Sequence, residues 1–304
     1  LHLTTGARIK VNINGEITGT THWISATSGT GASSIYISGE GLTNSVIGST
    51  KVGIVKLEGA STSGTDARDH SVKIDNITIQ GGFLGGNATS DGYSNIITVN
   101  FGELVINNSQ LANLFVSSLP TNVIKMNVGA LRVKDSNLVL SSIQSDLPDT
   151  ETGTAGNAGL YSWVILMESA EGRDRNVLKL TNTTLDTLPY ALNGTAGYPG
   201  SRNGHFISFA AGSGSPNPIS ETNVVLLNGV YMHGGAQLQK SLWLDSSWPA
   251  SVYIGNGLIT AGSAPDGIGT WTGYGNTSGI VSGLGGGLTI GTVSPYEDLT
   301  YLDF

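Results

Sequence analysis

One unit recurs along the chain and constrains its fold more than any other feature. It is a short strand of alternating apolar residues that ends on Asn, Asp or Gly, with a further apolar residue three positions beyond the end. Val11-Asn12-Ile13-Asn14 leads to Ile17, and Ile35-Tyr36-Ile37-Ser38-Gly39 to Leu42. Val72-Lys73-Ile74-Asp75-Asn76 leads to Ile79, Leu104-Val105-Ile106-Asn107-Asn108 to Leu111, and Leu131-Arg132-Val133-Lys134-Asp135 to Leu138. Leu178-Lys179-Leu180-Thr181-Asn182 leads to Leu185, Val225-Leu226-Leu227-Asn228 to Tyr231, and Val252-Tyr253-Ile254-Gly255-Asn256 to Ile259. The steps between these marks run from 25 to 47 residues. Alternation sends one face of each strand inward and the other outward. Asn, Asp and Gly tolerate the left-handed backbone of a sharp bend. The apolar residue after the bend points back inside and starts the next strand. One such coil cannot bury its inner face alone, so coils must stack in series.

The expected fold is therefore all-β: a single-stranded right-handed parallel β-helix, or solenoid, over residues 1–262. A Gly-rich segment over 263–304 is expected to serve as a cap or an oligomerisation region. The competing fold is a β-sandwich or propeller with frequent Asn turns, whose turns recur at about 8–12 residues. The repeated strand–bend–apolar unit favours the solenoid. Ile13, Ile37, Ile74, Ile106, Val133, Leu180 and Ile254 are expected to stack inward, in one column or in adjacent ones. The two longest steps predict insertions at roughly 146–172 and 189–218. Composition agrees. The chain holds 44 Gly and only 12% charged residues, which disfavours helices, while 38% hydrophobic residues supply a core.

The opening resembles the pectate-lyase-like parallel β-helix superfamily. Val11-Asn12-Ile13-Asn14-Gly15-Glu16-Ile17-Thr18-Gly19 looks like a first coil, and Ile35 through Ile47, with its Gly39-Glu40-Gly41 stretch, like a second. Ile74-Asp75-Asn76-Ile77-Thr78-Ile79-Gln80-Gly81-Gly82 is similar to a third. The second stretch is most similar to bacteriophage tailspikes and tail fibres. That likeness implies a trimeric, saccharide-binding spike. The lyase branch of the same superfamily implies metal-assisted β-elimination. It fits less well, because none of the six Arg precedes a Pro by two residues, as that branch's signature requires.

Charge and motifs exclude several classes of function. The formal net charge is −8 and no run of four basic residues occurs, so nucleic acid is not an expected partner. A strongly anionic polymer is likewise disfavoured unless a local basic strip overrides the total. The chain has no Cys, which removes disulfides and Cys-based zinc sites. No apolar run reaches 18 residues, so no membrane span is expected. The five His are scattered, and no metal site or cofactor is expected. The start at Leu1 reads as a processed or excerpted piece of something longer.

Saccharide cleavage needs two carboxyl groups flanking one glycosidic bond. Three acidic groups stand out: Asp66 with Asp69; Asp146, Asp149 and Glu151; and Glu168, Glu171 and Asp174, interleaved with Arg173 and Arg175. Each reads first as a solvated loop, with surface ion pairs worth under about 1 kcal/mol. The third is the best catalytic candidate, being the densest in charge and following Tyr161-Ser162-Trp163. Sugars present apolar C–H faces to aromatic rings, so Tyr161, Trp163, Tyr190, Tyr198, Trp243 and Trp248 are the candidate carbohydrate-binding residues. Trp243 and Trp248 lie five positions apart and would point to opposite faces of one strand.

Three functional readings follow. The first is a tailspike-like virion receptor-binding protein that recognises a bacterial surface polysaccharide, with or without depolymerising it. The second is a secreted polysaccharide hydrolase or lyase. The third is a non-catalytic structural or adhesin β-helix. The expected location is the virion tail or the extracellular space, and the expected assembly is a homotrimer partly joined by residues 263–304.

Overall fold

The described residues of a computed structural model of the chain form 23 strands and no helix. In chain order they are β1 (His2–Leu3), β2 (Arg8–Ile13), β3 (Glu16–Gly19), β4 (Ile24–Ala26), β5 (Ser33–Gly39), β6 (Ser45–Gly48), β7 (Val55–Leu57) and β8 (His70–Asp75). Next come β9 (Thr78–Gly81), β10 (Asn95–Asn107), β11 (Gln110–Asn113), β12 (Asn122–Lys134), β13 (Asn137–Leu140), β14 (Trp163–Ser169), β15 (Val177–Thr187) and β16 (His205–Ala211). The last are β17 (Asn223–His233), β18 (Leu242–Leu244), β19 (Ala250–Ile254), β20 (Gly257–Thr260), β21 (Trp271–Thr272), β22 (Val281–Ser282) and β23 (Leu288–Gly291). The structure describes these strands together with residues 40–42, 76–77, 108–109, 135–136 and 176.

Among the described strands every pairing is parallel except β20 with β21. Parallel neighbours cannot be joined by a tight hairpin and need a long crossover, which accounts for the 25- to 47-residue steps. The pairings form three ladders. The first runs β2, β5, β8, the second part of β10, the second part of β12, the first part of β15, the first part of β17, β19 and β23. The second lies beyond the bend and runs β3, β6, β9, β11, β13, then the later parts of β15 and β17, and β20. The third runs β1, β4, β7, the first parts of β10 and β12, then β14, β16, β18 and β22. The result is a long parallel sheet, strongly curled and compatible with a β-helix.

Inward columns supply the core. On the first ladder Ile37, Ile74, Ile106, Val133, Leu180 and Leu227 stand in register, each at most 1% exposed. Two positions earlier Ile35, Val72, Leu104, Leu131, Leu178 and Val225 do the same. On the second ladder Ile79, Leu111, Leu138, Leu185 and Met232 align. Burying each such side chain contributes about 1.5–3 kcal/mol before the entropy of ordering the chain is set against it. The first coil departs from the expected column: Val11 stands opposite Ile37, while Ile13 stands opposite Gly39.

The bends between the first and second ladders follow the sequence mark. Asn76, Asn108, Asp135 and Asn182 have φ of 53°, 41°, 49° and 46°. In the following coil the left-handed residue is Gly229, at φ 65°, one position past the expected Asn228. The amides stitch coil to coil: Asn108 Nδ2 donates to Asn76 Oδ1 at 2.7 Å, and Asn182 Nδ2 to Asp135 Oδ1 at 3.2 Å. Immediately after the bend a hydroxyl closes the turn. Ser109 Oγ donates to Asn107 O at 2.7 Å and Ser136 Oγ to Lys134 O at 2.7 Å. Each also accepts a backbone N–H from the preceding coil, of Ile77 at 3.4 Å and of Ser109 at 3.1 Å. Main-chain donors are thus satisfied where the ladders break.

The third ladder corrects the expected insertions. Residues 146–172 contain β14 and residues 189–218 contain β16, and the two strands pair with each other and with β12 and β18. Trp163 through Met167 are all buried, as are Phe206 and Ile207. Apolar runs of this kind have more to gain inside a core than in a loop. The rest of both stretches lies outside the described residues. Within 263–304, β22 pairs with β18 and β23 with β19, so this segment carries two ladders one step further.

Candidate functional site

Outward positions on the first ladder form a continuous file. Lys10 stands opposite Tyr36, Tyr36 opposite Lys73, Lys73 opposite Val105, Val105 opposite Arg132, and Arg132 opposite Lys179. Strand alternation forces this placement, because each of these residues lies one position from an inward core residue. Four of the chain's 14 basic residues fall in this one file, and no acid does. The acids stand in the files beside it. Asp75 lies 2.9 Å from Lys73 Nζ, and Glu103 lies 3.3 Å from Arg132 Nε.

Tyr36 is the centre of the first half of this face. Lys10 Nζ lies 5.2 Å and Lys73 Nζ 5.1 Å from its ring centroid, within cation–π range. Asp75 anchors the group by accepting hydrogen bonds from Lys73, from Asn107 Nδ2 at 2.8 Å and from Tyr36. Burial alone would push the Asp75 carboxyl up, but these hydrogen bonds and the Lys73 charge outweigh it and hold it below the ordinary carboxylate range. The hydrogen bond to Asp75, with burial and the Asp75 charge, raises the Tyr36 phenol. Lys73's own hydrogen bond to Asp75 raises its ammonium against a smaller opposing effect of burial. At neutral pH the cluster is ammonium, carboxylate and neutral phenol. Such a set has the chemistry to hold a ligand by charge and hydrogen bonds, and none of these three groups is poised to exchange a proton at pH 7.

The residues singled out from the sequence fall elsewhere. Trp163 begins β14 and is fully buried, its backbone N–H donating to Asn122 Oδ1 at 2.8 Å, so its ring belongs to the core and offers no face to a sugar. Glu168 lies on β14 opposite Ala210, and Trp243 lies on β18 opposite Ser208. Tyr161, Glu171, Asp174, Tyr190, Tyr198 and Trp248 lie outside the described residues, as do Asp66, Asp69, Asp146, Asp149 and Glu151. Among the described residues no group of three or more His, Asp or Glu is arranged to hold a metal ion. No helix among them is long and apolar enough to cross a membrane. Neither the total charge nor runs along the chain reveal the cationic file, because its members are far apart in sequence. The signal that finds it is the residue three positions before each bend, which gives Tyr36, Lys73, Val105, Arg132 and Lys179.

Comparison with protein-family models, with curated proteins and with solved structures gives no match.

Proposed function

We propose that the chain is a right-handed parallel β-helix of the tailspike or tail-fibre kind, and that it recognises a bacterial surface polysaccharide along its side. The observation that carries this reading is the outward file of the first ladder, one side chain per coil in unbroken register from Lys10 to Lys179. A linear ligand made of repeating units meets such a surface with the same geometry at each step. Right-handedness follows from the rule that parallel crossovers are right-handed in about 98% of cases. The resemblance of the second coil, with its Gly39-Glu40-Gly41 stretch, to tailspikes supports a virion-tail or extracellular setting and a homotrimer. The pairing of β22 and β23 with the preceding strands supports a capping role for 263–304.

The test is incubation of the purified chain with capsule and lipopolysaccharide from a panel of bacteria, reading both retained polymer and released oligosaccharide. Retention without release fits a binding spike, and release assigns cleavage as well. An absence of retention across the panel would refute the reading. Light scattering of the full chain tests the trimer, which a monomer mass would remove.

A further inference from the structure

We infer that the outward face of the first ladder selects an acidic linear polysaccharide carrying one anionic group per disaccharide, laid along the ladder. This rests on the saccharide reading above and adds the charge and spacing of the ligand. Lys10, Lys73 and Arg132 recur at every second strand of the file, about 9.6 Å apart at the usual strand spacing, and Lys179 follows one strand on. A two-strand spacing matches the repeat of an extended disaccharide, so alternate sugars would present their charge to a cation and their neutral neighbours would face Tyr36 and Val105. From Lys10 to Lys179 the file spans about 24 Å, enough for several sugars.

The arrangement is held in place before any ligand arrives. Lys10 and Lys73 flank the Tyr36 ring from the neighbouring strands, so the ring's two faces are taken up by ammonium groups. Tyr36 therefore acts as a spacer between cations. Asp75 and Glu103 fix Lys73 and Arg132 from the side, which limits the entropy lost when an anion is gripped. At the two ends, Lys10 and Lys179 have no acidic partner among the described residues. A chain of net charge −8 would ordinarily repel a polyanion. A cationic file between flanking acids admits one only along a single line, and so sets the ligand's direction as well as its charge.

Titration calorimetry at low salt on the full chain decides it, with four polymers as probes. Hyaluronan carries one carboxylate per disaccharide, keratan sulfate one sulfate, polygalacturonate one carboxylate on every sugar, and dextran none. Hyaluronan or keratan sulfate should bind, more tightly per charge than polygalacturonate, and whichever binds identifies the anionic group. Raising salt to 0.5 M should weaken binding, because the Debye length then falls well below 10 Å. Lys10→Gln and Lys179→Gln, at opposite ends of the file, should each weaken binding about three- to tenfold through loss of one charged contact. The matching Arg variants should restore it. Lys125→Gln, on the outward side of the third ladder, should leave it unchanged. Melting curves check that each variant stays folded. Binding of neither acidic disaccharide polymer, equal binding of dextran, or unchanged affinity in both Gln variants would overturn the inference. If surface polysaccharides are still retained in that event, the saccharide reading stands without it; if none is, both fall together.

Discussion

Gly129→Ala tests the corner between the third and first ladders. Gly102 and Gly129 sit opposite each other in β10 and β12, both at φ 140°, where each long strand turns from one ladder into the next. A Cβ on Gly129 would stand 1.8 Å from the carbonyl oxygen of Gly102 and 2.8 Å from its carbon. Backbone atoms cannot swing aside as a side chain can. The strand must shift, pulling against pairs on both sides, such as Val99 with Met126 before it and Leu104 with Leu131 after it. The φ is one that L-residues rarely adopt, which adds about 1–3 kcal/mol of strain, and overpacking adds about 1–3 kcal/mol more. The less flexible unfolded chain returns about 0.4–1 kcal/mol. The net loss is then roughly 1–6 kcal/mol. Urea unfolding followed by far-UV circular dichroism measures it. Hydrogen exchange at β10 and β12 shows whether the loss is local, since stacked coils need not unfold as one unit. Gly41→Ala is the matched control, because nothing lies within 4 Å of a Cβ there, and it should stay within about 0.5 kcal/mol of the parent. A Gly129→Ala chain as stable as the control would refute the corner geometry.

Other perturbations test other parts of the scaffold. Asn122→Ala removes the acceptor of the Trp163 N–H and the donor to Asn95 Oδ1, both at 2.8 Å in the interior, and should lose about 2–4 kcal/mol in urea unfolding; a loss below about 1 kcal/mol would show the amide to be dispensable. At the bend, Asn108→Ala should cost about 1–2 kcal/mol and Asn108→Gly clearly less, because only the first forces a Cβ-bearing side chain without a local hydrogen bond into φ 41°; the reverse order in thermal melts would contradict the left-handed bend. Asp75 has a lowered pKa in the fold, so its contribution is present above the ordinary 3.8 and is lost as pH falls through the folded value; Asp75→Asn should flatten that acid limb of a stability–pH curve. Lys73 is raised from 10.5, so its contribution holds below that pH and is lost as pH rises through the folded value, and Lys73→Gln should flatten the alkaline limb.

How far the fold could be read from the sequence varied by ladder, for physical reasons. The first two ladders announce themselves, because the bend between them needs a left-handed residue and few residue types accept one. Asn76, Asn108, Asp135 and Asn182 were legible for that reason. The third ladder has no such marker. Its corners use Gly102 and Gly129, which look like any other Gly among 44, and at β14 both faces are buried, so the alternation that identifies a strand disappears into Trp163-Val164-Ile165-Leu166-Met167. In the first coil, the Asn14-Gly15 pair drew the mark to Ile13, two positions from the residue that lines up with Ile37. The candidate site was harder to read. Lys10, Lys73, Arg132 and Lys179 are far apart along the chain and meet only through register, so neither total charge nor local clustering reports them. Trp163 shows the converse: an aromatic residue near a charged cluster can be a core side chain, and spacing along the sequence does not separate the two cases.

The unequal crossovers bear on how such a chain can change over time. Ile106 and Val133 are partners 27 residues apart, whereas Val133 and Leu180 are partners 47 residues apart, yet the inward column runs through both steps unbroken. Loop-closure entropy grows only with the logarithm of length, so the longer excursion costs about 0.5 kcal/mol more than the shorter. Lengthening or rewriting a crossover is therefore nearly neutral for the scaffold. Shifting one residue between a bend and its core partner would turn a whole strand inside out. Variation is thereby channelled into the crossovers, where new surface can be tried without renegotiating the stack, while the bends keep the count.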